Sequence, residues 1–110
     1  MEAQRERRLF VQYPVVFLGS QGVGEGRLFN LSTGGGAIES RTAVQRGTVL
    51  TLRVHLPSLP QPIAVDQAEV TWTAGEGFGV QFLSLGTRDE ARLSQLIVGL
   101  QQDTQGTEAA

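Results

Sequence analysis

Apolar residues in this chain recur at every second position, and glycine or proline ends each run after a few residues. Leu9, Val11, Tyr13, Val15 and Phe17 alternate with other residues at the start. A period of two gives a strand one apolar face. Pro14 inside this run points to an edge position or a bulge, because proline donates no hydrogen bond to a neighbouring strand. Gly19, Gly22, Gly24 and Gly26 mark a turn, followed by a second strand at about 26–31. Ser32-Thr33-Gly34-Gly35-Gly36 breaks that strand, and Ala37 to Ser40 makes a short third one. Leu50, Leu52, Val54 and Leu56 alternate with Thr51, Arg53 and His55 in the fourth. Pro57, Pro60 and Pro62 then impose a loop. Ala68, Val70 and Trp72 alternate with Glu69, Thr71 and Thr73, which places Trp72 on the apolar face of a fifth strand. Gly75-Glu76-Gly77 turns the chain into a sixth, carried by Phe78, Val80 and Phe82. Short strands punctuated at this spacing predict an all-β sandwich or barrel.

The period changes after Leu85. Leu93, Leu96, Ile97 and Leu100 follow the i, i+3, i+4, i+7 spacing of one helical stripe. Thr87 is the expected cap, with Asp89 and Glu90 placed to favour the positive end of the helix dipole. The pattern predicts a helix at about 87–101 that closes the barrel or seals a partner, within one domain spanning 9–100. Residues 1–8 read as a flexible arginine-rich arm, and 102–110, polar and small, as a disordered tail. At 110 residues the chain suits a single core.

There is no cysteine, so disulfides, thiolate metal sites and a cysteine nucleophile are excluded. Met1 to Arg8 is charged with no apolar run behind it, unlike a signal peptide. No stretch approaches the roughly 20 apolar residues of a membrane span. A soluble, cytoplasmic protein without membrane insertion is expected. His55, the one histidine, falls on the polar face of its strand and makes a poor metal site without companions. Ser32 has no base in reach of sequence reasoning and no Gly-x-Ser-x-Gly elbow around it. The segment Gly19 to Gly24 lacks the lysine and following helix of a phosphate cradle. No catalytic residue, metal ligand or cofactor is assigned, and no enzymatic activity is expected.

The net charge is −2, which argues against a nucleic-acid polymer as partner. All nine cations are arginine, and Arg5, Arg7 and Arg8 crowd into the first eight residues. Arginine presents a planar fork that grips phosphate with two hydrogen bonds and stacks on bases. A solvated basic tail has the same composition.

Asn30-Leu31-Ser32-Thr33-Gly34-Gly35 ends the second strand, after an arginine-rich segment that leads into the first. This pairing resembles the PilZ family, whose signature is two arginines four residues apart followed by Asp/Asn-x-Ser-x-x-Gly. Asn30, Ser32 and Gly35 match the second motif in full. Gly47 leading into Val49 to Leu52, Ala68 to Trp72, and Gly77 to Phe82 look similar as well, so the resemblance covers about residues 5–100. It implies a six-stranded antiparallel, split-barrel-like PilZ β-barrel with one C-terminal helix. It also implies a bacterial signalling module whose ligand is the second messenger cyclic diguanylate (c-di-GMP), with a protein effector downstream. The resemblance assigns Arg5, Arg7, Arg8 and the Gln12 position to the phosphates and guanine faces. It assigns Asn30 and Ser32, with Gly34 and Gly35, to a guanine edge. An asparagine amide offers both the acceptor and the donors that such an edge needs, and glycine permits close approach. The same Asn-Ser-Gly composition also suits a plain turn.

The arginine motif departs from the pattern. With Pro14 as the anchor, its two positions are Arg8 and Gln12, so the second arginine is a glutamine. A charge-assisted hydrogen bond is worth roughly 1.5–3 kcal/mol, so its loss weakens binding about 10- to 150-fold. Arg5 or Arg7 is placed to compensate. Two readings follow: a c-di-GMP receiver, or a PilZ-fold adaptor that has lost the nucleotide and acts through protein contacts. A single-stranded nucleic-acid barrel ranks behind both, for want of basic charge.

Overall fold

The computed structural model describes residues 8–20 and 22–109, with side chains as far as Gln101. Arg5, Arg7 and the rest of the expected arm lie outside the described residues. Six strands follow in order: β1 Leu9–Gly19, β2 Gly22–Ser32, β3 Gly35–Glu39, β4 Val49–Val54, β5 Ile63–Ala74 and β6 Gly77–Ser84. They are antiparallel throughout and close into a barrel in the order β1-β2-β3-β6-β5-β4. Pairing of Val15 to Leu18 with Thr51 to Val54 joins β1 to β4 and completes the ring. The six-stranded barrel and its helix agree with the fold expected from the sequence.

The period of two fills the interior. Leu9, Val11, Val15 and Phe17 of β1 enter one core with Leu50, Leu52 and Val54 of β4 and Phe78 and Val80 of β6. Phe17 meets Phe78 edge to face at 5.4 Å between ring centroids, a favoured aromatic geometry. Pro14 pairs with Arg27 just past the register shift between Phe10 and Tyr13 and one residue outside the β4 ladder that starts at Val15, so a bulge lies beside it while the closed barrel leaves no sheet edge. Its carbonyl still accepts the His55 N–H at 2.9 Å.

Register shifts decide which way several side chains face. Leu28 and Leu31 are both buried although they stand three positions apart, which simple alternation would place on opposite faces. The shift between Leu28 and Asn30 against β3 resets the alternation across Phe29, so Asn30 faces outward. A second shift, between Val70 and Trp72 against β6, reverses Trp72. Trp72 therefore lies on the outside at 41 % exposure, not on the apolar face that simple alternation assigns it. One extra residue in one strand is enough to do this.

The last element, α1, spans Thr87–Ala109 and lies against β5 and β1. Leu93 and Ile97 are buried, with Leu96 and Leu100 packed beside them, so the stripe seals the barrel end that holds Leu9, Leu56 and Ile63. The Gly86 carbonyl accepts the Glu90 N–H at 2.9 Å, which makes Gly86 the capping position in place of Thr87. Beyond Gln101 the backbone continues as helix to Ala109, through the stretch expected as a tail. That stretch contains no proline to interrupt it.

Candidate functional site

The two motifs meet at the start of β1 and the end of β2. The pairs Leu9–Leu31 and Phe10–Asn30 set the register there. Leu9 and Leu31 point into the core, whereas Arg8, Phe10 and Asn30 lie on the outer face. Arg8, one residue ahead of β1, donates from Nη1 to Asn30 Oδ1 at 3.3 Å. The arginine motif and the polar motif thus touch through their first members.

Gln12 is exposed and sits in the register shift between Phe10 and Tyr13. Four residues of strand place it about 13 Å along β1 from Arg8. It carries no guanidinium to complete the pair.

Ser32, Gly34 and Gly35 shape the turn between β2 and β3. Ser32 is 2 % exposed, and its hydroxyl donates to the Gly35 carbonyl at 3.3 Å. The Gly34 carbonyl accepts the Phe82 N–H at 2.8 Å, which ties the turn to β6. A Cβ on Gly35 would run into the Val80 carbonyl oxygen. Gly35 is needed for the close approach of β3 to β6, and it has an ordinary φ. Of the motif, then, Asn30 presents its side chain beside Arg8, while Ser32 and the glycines brace the corner behind it.

The ladder extends this corner across the barrel. Phe10 pairs with Asn30, Asn30 with Ala37, Ala37 with Gly79, and Gly79 with Trp72. Paired residues share a face, so these five form one row over β1, β2, β3, β6 and β5, exposed at Phe10 and Trp72 and buried at Ala37 and Gly79. An aromatic stands at each end, Phe10 at 90 % and Trp72 at 41 % exposure. Small residues lie between Asn30 and Trp72. A Cβ on Gly79 would fall inside the Trp72 indole, so the ring lies flat against that glycine. Neither aromatic is among the residues the sequence motifs select. Phe10 carried a readable signal, since it occupies the outward parity of a strand whose odd positions are apolar. Trp72 carried none, because its bulge is invisible in the alternation.

The site is an open face. A cavity of about 110 Å³, lined by Phe17, Gly24, Thr42, Val44, Thr48 and Leu50, lies at the opposite end of the barrel. Among the described residues no group of His, Asp or Glu is placed to hold a metal ion. His55 is exposed. No described helix is long and apolar enough to cross a membrane.

Comparison with known proteins bears on the family. The family model of the PilZ domain matches residues 2–99. The chain belongs to the PilZ family. No curated protein matches it in sequence. Among solved structures it is similar to YcgR from Escherichia coli in complex with c-di-GMP (TM-score 0.80, 18 % identity, 96 % of this chain and 49 % of that one). The PilZ domain of YcgR with c-di-GMP gives a TM-score of 0.76 at 17 % identity, covering 96 % of this chain and 97 % of that one. The Bacillus subtilis inhibitor of motility, MotI/DgrA, gives 0.74 at 18 % identity, covering 91 % of this chain and 52 % of that one. This chain therefore spans about half the length of the YcgR and MotI chains and nearly the whole of an isolated PilZ domain. At these identities the similarity is one of fold.

Proposed function

We propose that this PilZ domain is a receiver of c-di-GMP, without catalytic activity of its own, that passes the signal to a protein effector in the cytoplasm. The observation that carries the reading is the Arg8–Asn30 contact at 3.3 Å on the outside of the barrel. It sets a phosphate-gripping fork beside an amide able to read a guanine edge, and both side chains face solvent. Ser32, Gly34 and Gly35 hold Asn30's corner in shape. Arg5 and Arg7 precede Arg8 in the sequence and add positive charge to that segment. The exposed rings of Phe10 and Trp72 at the two ends of the row suit a flat, doubly phosphorylated ligand.

Calorimetric titration of the full chain with c-di-GMP tests this. Saturable binding is expected, and Arg8→Ala or Asn30→Ala should weaken it about 10- to 150-fold. Folded protein that takes up no ligand would overturn the proposal. Gln12 favours the second reading, an adaptor that works through protein contacts without nucleotide. That reading expects Gln12→Arg to create binding where the natural chain has none. The receiver reading expects the same change to tighten binding already present.

A further inference from the structure

Among the described residues Phe10 is the most solvent-exposed of the large apolar side chains at 90 %. Its position follows from its strand. Leu9 and Val11 are buried on either side of it, so alternation turns Phe10 out. The barrel gains nothing from this ring, which leaves most of an aromatic surface in water. Its neighbours are polar. Arg8, just ahead of β1, and Gln12 within it each stand two residues away along the chain, and Asn30 is its partner across the ladder, with Cβ atoms roughly 5 Å apart in such a pair.

The surroundings separate Phe10 from a protein-docking patch. Leu18 and Val23 are also exposed and face each other across β1 and β2, but at the far end of that ladder. Eight residues of strand put Leu18 about 26 Å from Phe10. Docking patches are contiguous apolar areas, whereas Phe10 is a single ring set among an amide, a guanidinium and a second amide. A lone flat face amid groups that read polar edges and hold phosphate suits a nucleobase.

Resting on the receiver reading above, we propose that Phe10 is a stacking platform for a guanine of c-di-GMP, with Asn30 at the base edge and Arg8 at the phosphate. It supplies the flat face that Gln12, in place of a guanidinium, does not. Base–aromatic stacking of this kind tolerates exchange among aromatic rings and fails with aliphatic ones.

The test is calorimetric titration of the full chain with c-di-GMP for the natural sequence and for Phe10→Ala, Phe10→Leu and Phe10→Trp. Phe10→Ala should weaken binding about 5- to 150-fold. Phe10→Leu, which keeps the apolar bulk and loses the π face, should stay weak, and Phe10→Trp should return to within a few-fold of the natural affinity. In NMR spectra the Phe10 ring protons and a guanine H8 should shift upfield together on mixing. All four chains should melt alike, because the ring packs against nothing in the barrel. If Phe10→Leu or Phe10→Ala binds within about twofold of the natural chain while Arg8→Ala loses affinity, stacking is refuted and the receiver reading stands. If the folded natural chain binds no c-di-GMP, both fall. If the chain self-associates and Phe10→Ala abolishes that while leaving nucleotide affinity intact, the ring serves a protein contact and the proposal is wrong.

Discussion

Two glycines do their work by having no side chain. Gly35 lets β3 approach the Val80 carbonyl, and Gly79 gives the Trp72 ring a place to lie. The consequence at Gly79 is measurable because Trp72 is the one tryptophan in the chain. Gly79→Ala puts a methyl group where the indole sits, and the ring has solvent to swing into. Its fluorescence emission should move to longer wavelength, and the fold should lose about 1–3 kcal/mol in chemical denaturation. An unchanged emission spectrum would contradict the described packing. Gly35 is legible from its motif, whereas Gly79 is not, since nothing in a glycine's immediate neighbours reveals which ring will cover it.

At the scale of elements, α1 is fastened as well as packed. Arg92 donates to the Pro62 carbonyl at 3.2 Å and the Gln61 carbonyl at 2.5 Å, and pairs with Asp89 at 3.0 Å. Asp89 in turn accepts the Ala64 N–H at 3.3 Å. Arg88 adds a bond to the Gln61 side chain. The helix thereby holds the proline-rich connection between β4 and β5, which has few backbone donors of its own. Arg92→Ala should cost about 1–2 kcal/mol in thermal or chemical denaturation, more than Arg88→Ala, whose partner is exposed. It should also speed hydrogen exchange at the Ala64 amide. Equal effects from the two variants would argue against the clamp. The helix itself was legible from its apolar stripe, with Gly86 replacing Thr87 at the cap. The clamp was not, because Arg92 and Gln61 belong to different elements and meet only in the folded barrel.

For the whole molecule, stability couples to the state of Tyr13, half-buried against the core. Burial raises its phenol above the ordinary value of 10.0, because desolvation disfavours the phenolate. The unfolded chain therefore gives up this proton first as pH rises. Tyr13's contribution is complete below about pH 10 and is lost as pH climbs through the folded-state value. The denaturation midpoint should decline in that alkaline window, and Tyr13→Phe should flatten the decline. An identical pH profile in the variant would refute the coupling. Closure of the barrel is also a property of the whole. By itself the sequence determined which positions are apolar, where glycine and proline stop the strands, and that Asn30, Ser32 and Gly35 follow an arginine-led strand. Those are local facts, set by side-chain chemistry and a period of two. Only the tertiary structure decided that β4 closes on β1, that Arg8 reaches Asn30, and that Asn30 and Trp72 turn outward. Register and bulges arise from hydrogen bonding between strands far apart in the chain. A one-residue slip in that pairing reverses the face of every side chain beyond it.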